Sequence, residues 1–251
     1  DLDYRYYETR YADMALEDQE AADNWYNSED GVLYPFGYGL SYTKFEQQIL
    51  SVKPAAEAEG EVATLDKDSD LIEVSVRVKN TGKKAGKDAV QLYWKAPYTK
   101  GGIEKADHVL CAFDKTETLK PGKSQIVNLT FHLQDVANYD FSDANNNNFK
   151  GYELDGGEYA LLLGKNAHEM YDEAKLNVVD GGIKYQYDRF TGHEVKNRFT
   201  NRGFYNSMPE GDLEFTQMSR ANFAATFPTH PTVQSRTLSA NSRFEEFLTH
   251  E

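Results

Sequence analysis

Along Ile72-Glu73-Val74-Ser75-Val76-Arg77-Val78-Lys79, apolar and polar residues alternate without a break. A period of two puts the valines on one face and the charges on the other, which predicts a half-buried antiparallel strand. Asn80-Thr81-Gly82 then supplies a turn. The alternation returns where Val90, Leu92 and Trp94 face away from Gln91, Tyr93 and Lys95. It returns again in the rows Val127-Leu129-Phe131-Leu133, Tyr159-Leu161-Leu163 and Leu176-Val178. Leu119-Lys120-Pro121-Gly122-Lys123 places proline where φ is preset and glycine next, the order of a type II turn. About seven such strands between Phe45 and Val179, with no helical period among them, predict an antiparallel β-sandwich. Its expected core holds Val74, Val76, Leu92, Val127, Leu129, Phe131, Leu161 and Leu163.

The ends of the chain follow other patterns. Tyr4-Arg5-Tyr6-Tyr7-Glu8-Thr9 is a short aromatic run that reads as a strand, and the acidic stretch from Asp13 to Asp30 reads as a solvated loop. Tyr34-Pro35-Phe36-Gly37-Tyr38-Gly39-Leu40-Ser41-Tyr42 suits neither helix nor strand. Proline removes a donor and the two glycines permit positive φ, so a rigid aromatic-walled turn is expected. Such a turn either fastens two layers together or stacks on sugar rings; fastening is the simpler role. Beyond Val179 isolated aromatics among Gly, Asn and Pro predict an extended arm over 181–251. It closes in Phe244, Phe247 and Leu248, the spacing of one short helix face.

Composition narrows the function. Hydrophobic residues are 39% of 251 and the formal charge is −14, which sets aside nucleic acid and anionic membrane as partners. The single cysteine, Cys111, sits in the apolar run Val109–Phe113 and reads as a buried core thiol. Asp143-Ala144-Asn145-Asn146-Asn147-Asn148 lacks the glycine and glutamate that a calcium loop needs at its sixth and twelfth positions, where Asn148 and Leu154 stand, so it reads as a polar loop. Asn128-Leu129-Thr130 fits a glycosylation sequon but falls inside a predicted strand and is taken as chance. His168, His193, His230 and His250 have no partner at metal-ligand spacing and read as surface residues. No cofactor or metal is implied.

Residues 35 to 43, Pro-Phe-Gly-Tyr-Gly-Leu-Ser-Tyr-Thr, closely resemble the signature with which family 3 glycoside hydrolases leave their α/β-sandwich domain. Val78-Lys79-Asn80-Thr81-Gly82, Val90-Gln91-Leu92-Tyr93, Leu119-Lys120-Pro121-Gly122, Tyr139-Asp140 and Gly157-Glu158-Tyr159 resemble successive landmarks of the fibronectin type III-like module that follows. Ala112 departs from the glycine usual before Phe113, and the acidic stretch before the turn is longer than usual. The resemblance implies a mainly β chain in three parts. Residues 1–43 would be the closing edge of an α/β-sandwich domain, 44–180 an immunoglobulin/fibronectin type III-like sandwich, and 181–251 an arm. It implies a retaining β-glucosidase-type enzyme acting on β-glucosides, with β-xylosides as the near alternative. Retaining glycosidases work with two carboxyl groups about 5 Å apart. In the family these lie on the barrel and earlier in the α/β-sandwich domain, so neither is assigned here and this chain alone is expected to be inactive. Its expected partners are those remaining domains, with self-association left open; a barrel following Glu251, the order of a bacterial subset, is the expected arrangement. Arg5, Tyr6 and Tyr38 are substrate-proximal candidates, with an Arg-Tyr packing cluster as the alternative. The rival from another class is a free-standing fibronectin-like module that binds sugar or protein.

Overall fold

The alternating segments are strands. In chain order they are β1 (Phe45–Lys53), β2 (Ala63–Leu65), β3 (Leu71–Asn80), β4 (Ala89–Lys95), β5 (Val109–Lys115), β6 (Ser124–His132), β7 (Asn138–Asp140), β8 (Gly151–Leu154), β9 (Gly157–Gly164), β10 (Met170–Val178) and β11 (Ile183–Tyr185). They come from a computed structural model that describes residues 3–29, 31–53, 63–197 and 218–226. One sheet has the order β1-β3-β6, a second β2-β10-β9-β4-β5, and a small third β11-β8-β7.

The first two sheets bury one core. All eight residues expected inside are buried there, joined by Ile72, Val78, Trp94, Leu133 and Tyr159. Trp94 of the second sheet meets Phe131 of the first edge-on at 5.8 Å and Tyr159 at 4.8 Å. In β3 and β6 the period of two decides everything: Val74 lies opposite Leu129 and Val76 opposite Val127, all pointing inward. The turn at Pro121 takes the expected form, with Gly122 at φ 75° and Lys123 N–H donating to Lys120 O at 3.0 Å.

Three departures from the sequence reading have physical causes. The pairing is not wholly antiparallel, because β2 runs parallel to β10 with Ala63 opposite Leu176. Strand β11 lies within the stretch expected as an arm; its Ile183 is buried and pairs with Leu154. The largest departure is at the N-terminus. Tyr4–Glu17 is a 14-residue helix, α1, where a strand was expected, and Gln19–Tyr26 is a second, α2, where a loop was expected. Over six residues the tyrosines suggest a strand, since aromatic residues favour pleated surfaces. Over two turns, Tyr4, Tyr7, Glu8 and Tyr11 recur at i, i+3, i+4 and i+7 and form one helix face. Asp18 separates the helices and caps the second, its Oδ1 accepting Ala21 N–H at 3.0 Å.

The chain divides into two units, residues 1–211 and 212–251. In the second, the described residues form a turn at Arg220–Asn222, with Ser219 Oγ accepting Ala221 N–H, followed by α3 (Phe223–Thr226). The expected helix face at Phe244, Phe247 and Leu248, and His230 and His250, lie outside the described residues.

Candidate functional site

Strand β4 is buried on both faces, and that locates the site. Val90, Leu92 and Trp94 face the core, yet Gln91 and Tyr93 on the other face are buried too. The cover is the N-terminal segment. Tyr4 of α1 accepts Leu110 N–H at 2.9 Å and stacks on Phe36 of the Pro-Phe-Gly turn at 4.4 Å. Gln91 Nε2 donates to Gly37 O at 3.1 Å and to Lys165 O at 3.2 Å, while Tyr93 Oη donates to Gln91 Oε1 at 2.9 Å. Ala167 N–H donates to Phe36 O at 2.8 Å. The inner half of the turn is thus hydrogen-bonded to the outer face of the second sheet. Gly37 allows this approach: its φ is 78°, and a Cβ there would lie 1.9 Å from Gln91 Oε1.

Two buried charge clusters close the same seam. Glu8 of α1 is 3% exposed, accepting from Tyr26 Oη and standing 2.9 Å from His168 Nδ1 in the β9–β10 turn. The His168 ring lies flat on Tyr26 at 4.0 Å. The surface reading of His168 is corrected accordingly: its ring is held between helix and sandwich. Burial, then the Glu8 carboxylate, pushes the Tyr26 hydroxyl far above its ordinary pKa. In the second cluster, Thr9 Oγ1 accepts Asp107 N–H at 2.8 Å. Both His108 ring nitrogens face acceptors, Asp107 Oδ2 at 2.9 Å and Ala167 O at 2.8 Å. Burial works to raise the Asp107 carboxyl, but the His108 hydrogen bond and the Lys95 charge outweigh it and hold it below the ordinary carboxylate value.

The candidates named from the sequence are dispersed along this segment. Arg5 is exposed on α1. Tyr6 Oη accepts from Arg10 Nη1 at 2.9 Å and its ring meets Trp25 edge-on, so it belongs to the packing between the helices. Tyr38 is 42% exposed and packs on Tyr34 at 5.1 Å. Beside Tyr38, Lys44, Lys87, Lys115 and Lys165 line a groove of about 590 Å³ together with Asp88, with Lys87 paired to Glu117 and Lys165 to Glu169. Cys111 is half-buried against the core, its Sγ donates to Leu92 O at 3.3 Å, and burial pushes the thiol far up. It falls where the β4–β5 register shifts by one residue, next to Ala112. No group of three or more His, Cys, Asp or Glu able to hold a metal occurs among the described residues, and none of their helices is long and apolar enough to cross a membrane.

Glu8, Gln91, Asp107 and His108 were not singled out as site residues by sequence reasoning, and His168 was read as a surface residue. One signal was available: the outward row of β4 carries no charge at Gln91 and Tyr93, whereas that of β3 carries Glu73, Arg77 and Lys79.

Known proteins agree with this architecture. Residues 88–167 match the fibronectin type III-like domain family. A β-glucosidase A of Butyrivibrio fibrisolvens is 31% identical over 88% of this chain, which spans 27% of that enzyme. A putative β-xylosidase of Formosa agariphila is 37% identical over 54% of the chain, which spans 16% of it. Among solved structures, β-glucosidase 3B of Thermotoga neapolitana in complex with α-D-glucose aligns over 69% of the chain, with a TM-score of 0.50 and 31% identity, and the chain covers 19% of it. The chain therefore spans about a quarter or less of these relatives. A helical pair and a Pro-Phe-Gly turn fastened to a fibronectin type III-like sandwich, matched along most of its length by β-glucosidases, make this chain a segment of the family 3 glycoside hydrolases.

Proposed function

We propose that this chain is a non-catalytic accessory segment of an exo-acting, retaining β-glucosidase, and that its N-terminal seam seats the fibronectin-like sandwich against the rest of that enzyme. One observation carries the reading. While Phe36 and Gly37 are held by the sandwich, the neighbouring Leu33, Tyr34, Leu40 and Tyr42 are 84%, 65%, 90% and 100% exposed. An apolar rim of this kind marks an interaction site, and the chain spans only 27% of the Butyrivibrio relative, which supports the remaining domains as what covers it. Residues 1–43 would close the α/β-sandwich domain, 44–180 form the fibronectin-like module, and the arm from 181 begin with β11.

The buried carboxylates support the absence of catalysis. Glu8 is engaged by Tyr26 and His168, and Asp107 by His108 and Lys95, so neither is placed to attack a sugar. The substrate class follows the relatives: a terminal β-glucoside is proposed, with a β-xyloside as the competitor that the Formosa relative suggests. Arg5, Tyr6 and Tyr38 are proposed as substrate-proximal in the intact enzyme; the alternative, a packing role, is supported for Tyr6 by its bond to Arg10 and for Tyr38 by its contact with Tyr34.

The purified chain, assayed with an aryl β-glucoside, is expected to give no turnover. The remaining domains supplied in trans are expected to gain activity when the chain is added. Turnover by the chain alone would place catalytic residues within it. Tight binding of the chain to polysaccharides, with no effect on the remaining domains, would favour a free-standing binding module instead.

A further inference from the structure

The loop from Asp143 to Asn148 is held by its own acids. Asp140 of β7 accepts backbone N–H groups from Ser142, Asp143 and Ala144 at 2.9, 2.7 and 2.6 Å. Asp143 Oδ1 accepts those of Asn147 and Asn148 at 2.8 and 3.1 Å. Beneath the loop lies Glu153 of β8, only 1% exposed. Its Oε2 accepts from Asn147 Nδ2 and, at 3.2 Å, from Asn145 Nδ2. Among the described residues its Oε1 has no donor, and neither does Asn147 Oδ1, and both atoms are buried. Two orphaned acceptors on side chains already joined by one hydrogen bond are an unusual defect, since a buried polar atom without a partner costs about 1–3 kcal/mol.

One proton on Oε1 would supply the donor that both acceptors lack. A carboxylic acid and a primary amide close a ring of two hydrogen bonds: the amide N–H donates to the acid carbonyl, and the acid O–H donates to the amide oxygen. We propose that Glu153 is held as the neutral acid in the folded chain, its Oε1–H donating to Asn147 Oδ1, and that this ring latches the loop to β8 until the proton is lost.

The surroundings favour the neutral form. Burial raises the Glu153 carboxyl above its ordinary value; hydrogen bonds from Asn147 and Asn145 lower it, and the Asp155 and Asp140 charges raise it again. The nearby cations are engaged elsewhere. Lys105 Nζ meets Asp155 and donates to Pro97 O at 2.9 Å, and Lys184 Nζ donates to the Asn147 backbone O at 3.0 Å. Tyr159 of β9 donates its hydroxyl to Asp155 O at 2.9 Å. Ala144, Asn145 and Asn146 form one wall of a groove of about 580 Å³ facing Thr99, Lys100 and Ile103, so release of the latch would reshape that groove.

The sign of the pH effect is fixed. A carboxyl whose pKa is raised on folding stabilises the fold fully below its unfolded value near 4.5, and that contribution is lost as pH rises through the folded value. Glu153→Gln preserves the ring without a titrating proton. Unfolding midpoints of the 251-residue chain and of Glu153→Gln are expected to coincide below about pH 4.5, with the wild type falling below the variant as pH rises through the folded value. A gap that does not change with pH, a variant less stable at neutral pH, or one that fails to fold would overturn the proposal. Carboxyl 13C NMR of the glutamate-labelled wild type reads the proton directly at about pH 5.5, above the range where ordinary glutamates titrate. A resonance at the protonated position is expected, and only ionised glutamates would overturn it. Calcium chloride at neutral pH is expected to leave the midpoint unchanged; a rise that Glu153→Gln abolishes would mean that the orphaned oxygens share a cation and no proton.

Discussion

Gly37 and Gly39 stand two residues apart in the turn and do different work. Gly37 has φ 78° with Gln91 Oε1 in the space of a Cβ, and Gln91 cannot swing away without giving up its bonds to Gly37 O, Lys165 O and Tyr93. Gly39 has nothing within 4 Å of a Cβ among the described residues and no positive φ. Gly37→Ala is therefore expected to destabilise the chain by about 1–3 kcal/mol, whereas Gly39→Ala should stay within about 0.5 kcal/mol of wild type. Urea denaturation checks both, and equal effects would contradict the fastening geometry. Asp107 makes a residue-scale prediction in pH. Its pKa is lowered on folding, so its ionised form stabilises the fold above the unfolded value of 3.8, and this is lost as pH falls through the lower folded value. Asp107→Asn is expected to be less stable than wild type at neutral pH, with the gap in unfolding midpoint closing in acid below about pH 3.8.

Among the elements, β6 tests the sandwich most directly. Leu129 is 4% exposed, pairs with Val74 across β3 and β6, and belongs to the hydrophobic core. Leu129→Asp would bury an unpaired carboxylate, at a cost of several kcal/mol. An unchanged melting temperature would show that β6 is turned the other way. Helix α1 behaves differently from the strands, because little of its surface is apolar. What holds it is specific: the Tyr4 hydroxyl on Leu110 N–H, Thr9 on Asp107 N–H, and Glu8 between Tyr26 and His168. This element reads as a loop or strand when taken locally and becomes a helix through its partners in the sandwich, since short helices of modest propensity depend on tertiary packing.

At the scale of the molecule, an acidic chain presents an apolar rim at Leu33, Tyr34, Leu40 and Tyr42, with four lysines lining the groove beside it. Leu40→Ser combined with Tyr42→Ser removes rim side chains that are 90% and 100% exposed. The isolated chain's melting temperature is expected to stay unchanged, because nothing in the sandwich rests on them. Association with the remaining domains of the enzyme, read as the activity regained in trans, is expected to fall by about tenfold or more, the loss that follows from about 1.4 kcal/mol of apolar contact. Unaltered association would show that the rim does not face those domains.

The sequence by itself determined the sandwich and its inward faces, because a side-chain period of two depends only on neighbours along the strand. Val74, Leu129 and Leu161 could be assigned to the core without knowing what they would meet. It also carried the turn at Pro121 and the Pro-Phe-Gly-Tyr-Gly signature, whose chemistry is local. Tertiary structure alone decided the seam. Glu8 and His168 are 160 residues apart, and so is nothing that a local pattern can join. A charged residue on a helix reads as solvent-facing until another part of the chain supplies its partner. For Glu8 that partner is a histidine at the far end of the sandwich's sequence, and the backbone N–H of Asp107 likewise finds its acceptor in a threonine 98 residues earlier. Burial on the second face of β4 has the same origin, since it required a cover that the strand's own residues do not encode.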